Sequence, residues 1–356
     1  MQEKSNILRV GLVGCGSIAR QRHLPFWREL EEEGRVEVVA VCDLVEERAQ
    51  EEAEQCRNAR AYTDYDVMLR DVELDIVDIC TQNRLHASNA IAALKKGCHV
   101  LVEKPMAMSS RECQQMIKTA DQAGTKLMVA QHMRFETPNE KLKEIIESGE
   151  VGEIYTAQAQ WLRRRGIPGW GRFHIREESL GGPLIDIGVH MLDLTLWLMG
   201  FPKPVAASGK IYRMFGDRPD LVNGEWGKGY PPAEFDVEDY ATALIRFDNG
   251  CSLQLSVSWA ANIAEETHQI LVLGDKAGIS NNPLGVFGSD GNALTSRRYD
   301  WLPANIGHRE EIRHFTECIE QDKPVRVQPH ESLMVQKIID AIYQSSEKNK
   351  EVPIRL

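Results

Sequence analysis

Residues 179–200, SLGGPLIDIGVHMLDLTLWLMG, place three ionisable side chains inside an otherwise apolar run: Asp186, His190 and Asp193. At helical spacing, positions 186, 190, 193 and 197 share one face. Burying an unpaired charge is costly, so these groups need partners or a chemical task. An imidazole one turn from a carboxylate suits proton transfer, because imidazole titrates near working pH. The same three side chains would also suffice geometrically as a metal-ligand set.

A second candidate lies in VLVEKPMAMS (100–109), where Glu103-Lys104-Pro105 ends a strand-like run. A lysine there can point into the crevice at the edge of a sheet, and its charge would stabilise a developing alkoxide. Taken alone, a Lys-Pro turn is usually just a solvated turn. The third candidate is VGLVGCGSIAR, which supplies Gly14-Cys15-Gly16-Ser17-Ile18-Ala19, a G-x-G-x-x-A pattern between a strand and a helix. The first glycine permits a tight turn, and the second lets the backbone approach a pyrophosphate. The small third residue allows close packing, while the helix N-terminus at Ser17 and Ile18 favours an anion. A second strand ends in Asp43. An acid there can accept hydrogen bonds from ribose hydroxyls and repel a 2′-phosphate, so NAD is expected in preference to NADP. In CTQNRLHA (80–87), Thr81, Asn83 and His86 follow another core strand and are expected to line the cofactor, with a helix N-cap as the ordinary alternative for Asn83. Glu103 and Lys104 are placed at the same edge.

These residues need a scaffold that the remaining sequence supplies. Apolar, β-branched runs at 7–14, 36–43, 74–80, 99–103 and 126–131 alternate with helical segments near 17–32, 45–56, 85–97 and 109–124. That grammar predicts a parallel sheet covered on both faces. After a helix near 139–148 the pattern changes. Strand-like stretches dominate at 153–162, 205–214, 239–247, 250–260 and 267–274, with an Asn-Gly hairpin signal in FDNGC (247–251). An antiparallel sheet is expected, covered on one face by a helix at 185–199, with helix again over 308–346. The Gly- and Pro-rich segment 216–235 reads as a long loop or lid. Two domains follow: 1–131, a Rossmann NAD-binding domain, and 132–356, an α+β domain, to which the family resemblance given below assigns substrate binding and oligomerisation.

Composition narrows the function. The 356 residues carry a net charge of −11, which argues against a nucleic-acid surface. No run reaches 18 uninterrupted apolar residues, and the polar start MQEKSNILRV lacks a signal-peptide layout, so no membrane partner is expected. The eight cysteines form no C-x-x-C pair and read as reduced core residues of a cytoplasmic protein.

In this order, G-x-G-x-x-A, E-K-P and GGPLIDIGVHMLDL resemble the Gfo/Idh/MocA family, named for glucose–fructose oxidoreductase and inositol dehydrogenase. The resemblance spans essentially the whole chain. It implies hydride transfer between NAD(P) and a sugar, polyol or cyclitol, and a homodimer or homotetramer assembled through the open sheet. By position it implies Lys104, Asp186 and His190 as catalytic residues. His190 would be the general acid/base, Lys104 would polarise the reacting oxygen, and Asp186 would orient the substrate hydroxyl. No metal is expected, because a metal site would leave the dinucleotide motif unexplained. Two departures stand out: Gln82 where the family often has proline, and Gly-Gly-Pro where three glycines are frequent. An NAD-assisted glycoside-cleaving member and a non-catalytic NAD- or sugar-binding regulator are the alternatives, and the intact Lys104, Asp186 and His190 argue against the regulator. Arg134 in QHMRFETP, and Arg163, Trp170 and His174 in WLRRRGIPGWGRFH (161–174), are candidate substrate contacts. Arginine forks recognise anions and indole faces stack on sugars, while an oligomer contact or a solvated charge run is the competing account of 161–174. Asp193 either backs His190 or pairs with an arginine.

Overall fold

The computed structural model describes residues 7–218 and 229–355. Residues 219–228, half of the expected 216–235 loop, therefore lie outside the described residues. The chain divides into two compact units: Met1–His132 with Ile306–Leu333, and Met133–Asn305 with Met334–Leu356.

The first unit is built on β1 (Leu8–Val13), β2 (Val36–Cys42), β3 (Arg60–Tyr62), β4 (Ile76–Ile79), β5 (His99–Glu103) and β6 (Leu127–Ala130). They form one parallel sheet in the order β3-β2-β1-β4-β5-β6. Helices α1 (Leu24–Glu32), α2 (Glu46–Ala53), α3 (Tyr65–Asp71), α4 (Asn83–Lys95) and α5 (Ser110–Ala123) connect them. Strand residues such as Val10, Leu12, Val38, Ile76 and Val100 are fully buried, as a sheet covered on both faces requires. The strand order reverses between β1 and β4, and that switch point is where such sheets bind ligands. The short, polar β3 and α3 were not expected, because a three-residue edge strand (RAY) carries no periodic apolar signal.

The second unit holds α6 (Thr137–Glu147), β7 (Ile154–Leu162), α7 (Arg176–Ser179), α8 (Val189–Met199), β8 (Pro204–Tyr212), β9 (Tyr240–Phe247), β10 (Ser252–Ser258), β11 (Thr267–Gly274), β12 (Ala277–Asn281), β13 (Leu284–Asp290) and β14 (Ala293–Arg298). With β15 (Val352–Pro353), the strands form a nine-stranded sheet in the order β14-β13-β12-β11-β7-β10-β9-β8-β15. It is antiparallel except for the β7/β10 pair. The Asn-Gly hairpin forms between β9 and β10, with Gly250 at φ 86°. Alternate residues of β9 and β10, Ala241, Ile245, Leu253 and Val257 among them, are buried, which gives the sheet a core face.

The helical stretch expected over 308–346 forms as two helices: α9 (Gly307–Glu320) and α10 (Pro329–Lys348) are separated by a turn in which Asp322 has φ 50° and Pro324 and Pro329 interrupt helical bonding. Residues 306–333, assigned by sequence to the second domain, pack with the first unit, where α9 contacts α1 and β6. All eight cysteines are free and buried. The segment Arg176–Met199 has the length and apolarity of a membrane span, yet 83% of its apolar window is buried within the protein.

Candidate active site

The nucleotide motif folds as a strand-turn-helix. Gly14 has φ 92°, and a Cβ there would sit 2.6 Å from the Cys80 carbonyl oxygen and 2.8 Å from the Thr81 nitrogen. A side chain at this position is excluded by both conformation and space. A Cβ on Gly16 would meet nothing within 4 Å. That open space over the first helical turn is what close approach of a pyrophosphate needs. Ser17 is exposed and Ile18 half-buried at the start of the helix, which opens with a π-helical turn, Ala19–His23, before α1. First-turn N–H groups have no partner within their own helix and favour an anion.

Asp43 follows β2. Its Oδ2 accepts the Cys15 N–H at 2.8 Å and its Oδ1 accepts the Val45 N–H at 2.9 Å. The carboxylate is thus fixed against the glycine turn, with lone pairs remaining on both oxygens. These residues fit a bound dinucleotide: a glycine cradle, a helix N-terminus and a positioned acid.

Thr81 and Asn83 are half-buried at the carboxyl end of β4. Gln82, not Asn83, is the N-cap of α4, and its side chain makes no capping bond. His86 is corrected from a cofactor contact to a brace. It is fully buried, with Nδ1 2.7 Å from the Pro105 carbonyl and Nε2 3.0 Å from the Thr81 carbonyl. Burial pushes its imidazole below the usual range. Neutral, it donates its one N–H to one of these two carbonyls, between the Thr81 turn and the turn bearing Lys104. That lysine is half-buried directly after β5, and the Lys104–Pro105 peptide is cis.

Glu103 is also corrected. Its side chain points into the interior, where His23 Nε2 donates to Oε1 at 2.9 Å, while Oε2 accepts the Lys104 N–H at 3.0 Å. Burial alone would raise this carboxyl; the His23 hydrogen bond and charge, with the charge of Lys104, outweigh it and hold it at about 2.

In the second unit, the Gly-Gly-Pro turn is set by close packing. A Cβ on Gly181 would lie 1.9 Å from the Tyr343 hydroxyl, and one on Gly182 would lie 1.9 Å from the Glu238 carbonyl oxygen. The buried Glu238 carboxylate accepts the N–H groups of Gly182 (2.9 Å) and Leu184 (3.2 Å) and the Tyr343 hydroxyl (3.0 Å). It caps the π-helical turn Leu184–Gly188 that carries Asp186 and leads into α8. Trp259 Nε1 donates to Asp186 Oδ2 at 2.9 Å. His190, on the first turn of α8, is 7% exposed, and its ring centroid lies 6.5 Å from that of Trp161 on β7. His268 on β11 pairs in register with Trp161, the two rings 4.3 Å apart. The buried Arg163 guanidinium lies 5.2 Å over the Trp161 ring. Burial pulls the Arg163 guanidinium down against the opposing charges of Asp186 and Glu266. Asp186, His190, Trp161, Arg163 and His268 therefore form one patch: a carboxylate, an imidazole that can exchange a proton, and an aromatic face.

Asp193 is no part of that patch. It forms a two-pronged ion pair with Arg134, Nε to Oδ2 at 2.7 Å and Nη2 to Oδ1 at 2.6 Å. Arg134 is fully buried, so its expected substrate contact is corrected to a role in the interior of this unit. Arg165 is occupied by the Ala261 carbonyl and Asn262, and Arg164 is exposed. His174 is 6% exposed and stacks on Tyr230, with ring centroids 5.0 Å apart; Trp170 is 42% exposed. The sequence reading missed Glu238, Trp259, His268, His23 and Asp78. Asp78 did leave a signal, a charge in the buried strand LDIVDIC.

A Rossmann unit with an acid fixed at its glycine turn, joined in one chain to a mixed-sheet unit whose helix α8 and preceding turn bear Asp-x-x-x-His, defines an NAD-binding oxidoreductase. The chain belongs to the Gfo/Idh/MocA family. Residues 8–131 match the family model described as the oxidoreductase family, NAD-binding Rossmann fold, and residues 143–354 match its C-terminal alpha/beta domain. The chain is 35% identical over 353 residues to the D-glucoside 3-dehydrogenase of Escherichia coli, covering 98% of both chains. Its fold is shared with an oxidoreductase domain protein from Kribbella flavida (TM-score 0.86, 22% identity, 99% and 100% of the two chains). It is also shared with a levoglucosan dehydrogenase solved with NADH (TM-score 0.84, 23% identity, 98% and 100%).

Proposed function

We propose that this protein is an NAD-dependent dehydrogenase of D-glucosides that oxidises the hydroxyl on sugar carbon 3. The His190 patch carries the proposal. It offers a proton acceptor, a carboxylate held by Trp259 and an indole face suited to a sugar ring. The choice of sugar and position is supported by the end-to-end similarity to the D-glucoside 3-dehydrogenase.

In this reading His190 takes the hydroxyl proton as the carbon is oxidised, and returns it in the reverse direction. Asp186 accepts a hydrogen bond from a substrate hydroxyl and orients it. Lys104 places positive charge on the reacting oxygen as negative charge develops there. Gly14, Gly16, Ser17, Ile18 and Asp43 hold the dinucleotide, with Thr81 and Asn83 at the crevice edge. Arg163, Trp170 and His174 bound the sugar. NAD supplies the hydride acceptor at its nicotinamide ring. We further propose a cytoplasmic homodimer or homotetramer assembled through the nine-stranded sheet, with oligomer mass in solution as its test.

The experiment is NADH formation by purified protein with glucosides, free aldoses and inositols, followed by NMR of the product. A 3-keto glucoside is expected, and His190→Ala and Lys104→Ala should each depress turnover far more than NAD affinity. Near-normal turnover in both variants would overturn the site. Release of the aglycone without NADH would favour NAD-assisted glycoside cleavage.

A further inference from the structure

Behind the Lys104 turn lies a buried chain of charged groups, all within the first unit. His23, on the π-helical turn after the glycine motif, is fully buried, as is Asp78 on β4. His23 Nδ1 lies 2.9 Å from Asp78 Oδ2, and Nε2 lies 2.9 Å from Glu103 Oε1. Both ring nitrogens therefore face carboxylate oxygens; with both carboxylates ionised these oxygens only accept, so the ring donates from both sides and carries positive charge. Asp78 is further fixed by Trp27 Nε1, which donates to Oδ2 at 2.6 Å. The second oxygen of Glu103 accepts the backbone N–H of Lys104. The chain thus runs Trp27, Asp78, His23, Glu103, Lys104.

Resting on the function proposed above, we propose that His23 is a positioning residue of the reaction. As a buried imidazolium between Asp78 and Glu103, it fixes the carboxylate that receives the Lys104 N–H and so sets where the lysine ammonium is presented. A bare Asp78–Glu103 pair in this interior would repel and take up a proton. Protonation of Glu103 would loosen its bond to the Lys104 N–H, because the charged acceptor is the stronger one.

The surroundings agree with this assignment. Burial alone would lower the His23 imidazole, but the charge and hydrogen bond of Asp78 raise it well above its usual range. The nearby ionisable groups are Cys80 just after β4, Arg22 beside His23, His132 after β6 and His308 at the start of α9. His132 and His308 stack with ring centroids 3.8 Å apart. Burial pushes His132 down to about 4, and burial with the charge of His132 pushes His308 down to about 2. Both are neutral in the folded protein, so His23 is the cation among these histidines. His23, Asp78 and Cys80 lie close enough together to suggest a metal site. Protein partners already engage both His23 nitrogens and the Asp78 carboxylate, which leaves them no lone pair pattern for an ion.

The test uses the full-length protein labelled with ¹⁵N-histidine, together with steady-state kinetics. In the wild type, both His23 nitrogens should keep imidazolium shifts well above the ~6.5 midpoint of a free imidazole. A neutral His23 at pH near 8 would overturn the proposal, whatever the activity. His23→Gln should lower kcat by roughly 10²-fold, as small displacements of a reacting group do, with KM for NAD within about twofold. It should also add one infrared C=O band of a protonated carboxylic acid to those of the wild type, lost again in His23→Gln/Glu103→Gln. An unchanged kcat in His23→Gln would overturn the proposal. If His23→Gln does not fold, Glu103→Gln, which keeps an acceptor for the Lys104 N–H, takes its place with the same kinetic expectation and the same refuting result. Loss of turnover in Lys104→Ala together with full turnover in Glu103→Gln would sink this inference alone. Full turnover in Lys104→Ala would sink the catalytic site, and the ¹⁵N result would still decide the charge state of His23.

Discussion

Asp193→Asn separates chemistry from architecture on α8. Asp193 stands one turn from His190, yet its carboxylate is committed to Arg134, and the two side chains are 1% and 0% exposed. The Arg134 guanidinium also lies 4.9 Å from the Phe201 ring centroid, so its surroundings on that side are apolar. Asparagine keeps the shape of Asp193 and removes the negative charge that it sets against the guanidinium. Breaking a buried pair in this way costs about 3–5 kcal/mol. At ~1.4 kcal/mol per decade, the open population of this unit should rise by roughly two to four decades. That is a large share of a typical ~5–15 kcal/mol stability. Arg134→Met/Asp193→Leu removes both charges and restores apolar volume, so it should cost far less than the sum of the single variants. The assay is urea unfolding combined with hydrogen exchange over α8, with turnover measured at a temperature where each variant stays folded. Turnover per folded molecule should remain near wild type. An Asp193→Asn protein of unchanged stability and lost kcat would refute the reasoning and place Asp193 in the reaction.

Two further outcomes are expected. Asp43→Ala removes the acceptor fixed by the Cys15 and Val45 N–H groups; hydrogen bonds to a charged group are worth about 1.5–3 kcal/mol, so KM for NAD should rise at least ~10-fold and the preference over NADP should narrow. Steady-state kinetics with both cofactors checks this, and an unchanged NAD/NADP ratio would remove Asp43 from ribose recognition. Burial raises the Glu136 carboxyl from its ordinary 4.5 to about 7. The folded protein therefore holds that proton in a window where the unfolded chain has released it. The contribution to stability is fully present below 4.5, declines as pH rises through that window and levels off above about 7. Urea midpoints across this range should show the decline in wild type and a flatter profile in Glu136→Gln.

The first unit was legible because each of its signals is local. Apolar runs mark the strands, two glycines mark the turn, and Asp43 falls at the end of β2, where chain order alone puts it beside the motif. What sequence did not disclose is which polar residues in those runs meet one another. His86 and Glu103 lie at the correct sheet edge, yet both turn inward. His86 spans two carbonyls, and Glu103 answers His23, a residue 80 positions away. A position at the carboxyl end of a strand specifies a neighbourhood; the side chain's direction depends on the partner available on the other side of the backbone. The return of 306–333 to the first unit was hidden for the same reason, because an amphipathic helix does not state which sheet it covers.

The ionisable run on α8 shows the limit most clearly. Periodicity correctly required partners for Asp186, His190 and Asp193, and the three partners differ in kind. Asp186 is held by the Trp259 indole, from the segment after β10. His190 sits near Trp161 from β7. Asp193 is neutralised by Arg134, which precedes α6. A helical face read from sequence treats the three as equivalent, because spacing is all it contains. Their division into a patch suited to proton exchange and a sealed ion pair is made by the sheet and by the turn before α6, through contacts remote in sequence. Replacing either member of the sealed pair should therefore cost stability, while replacing His190 should cost turnover, although the two positions are three residues apart on one helix.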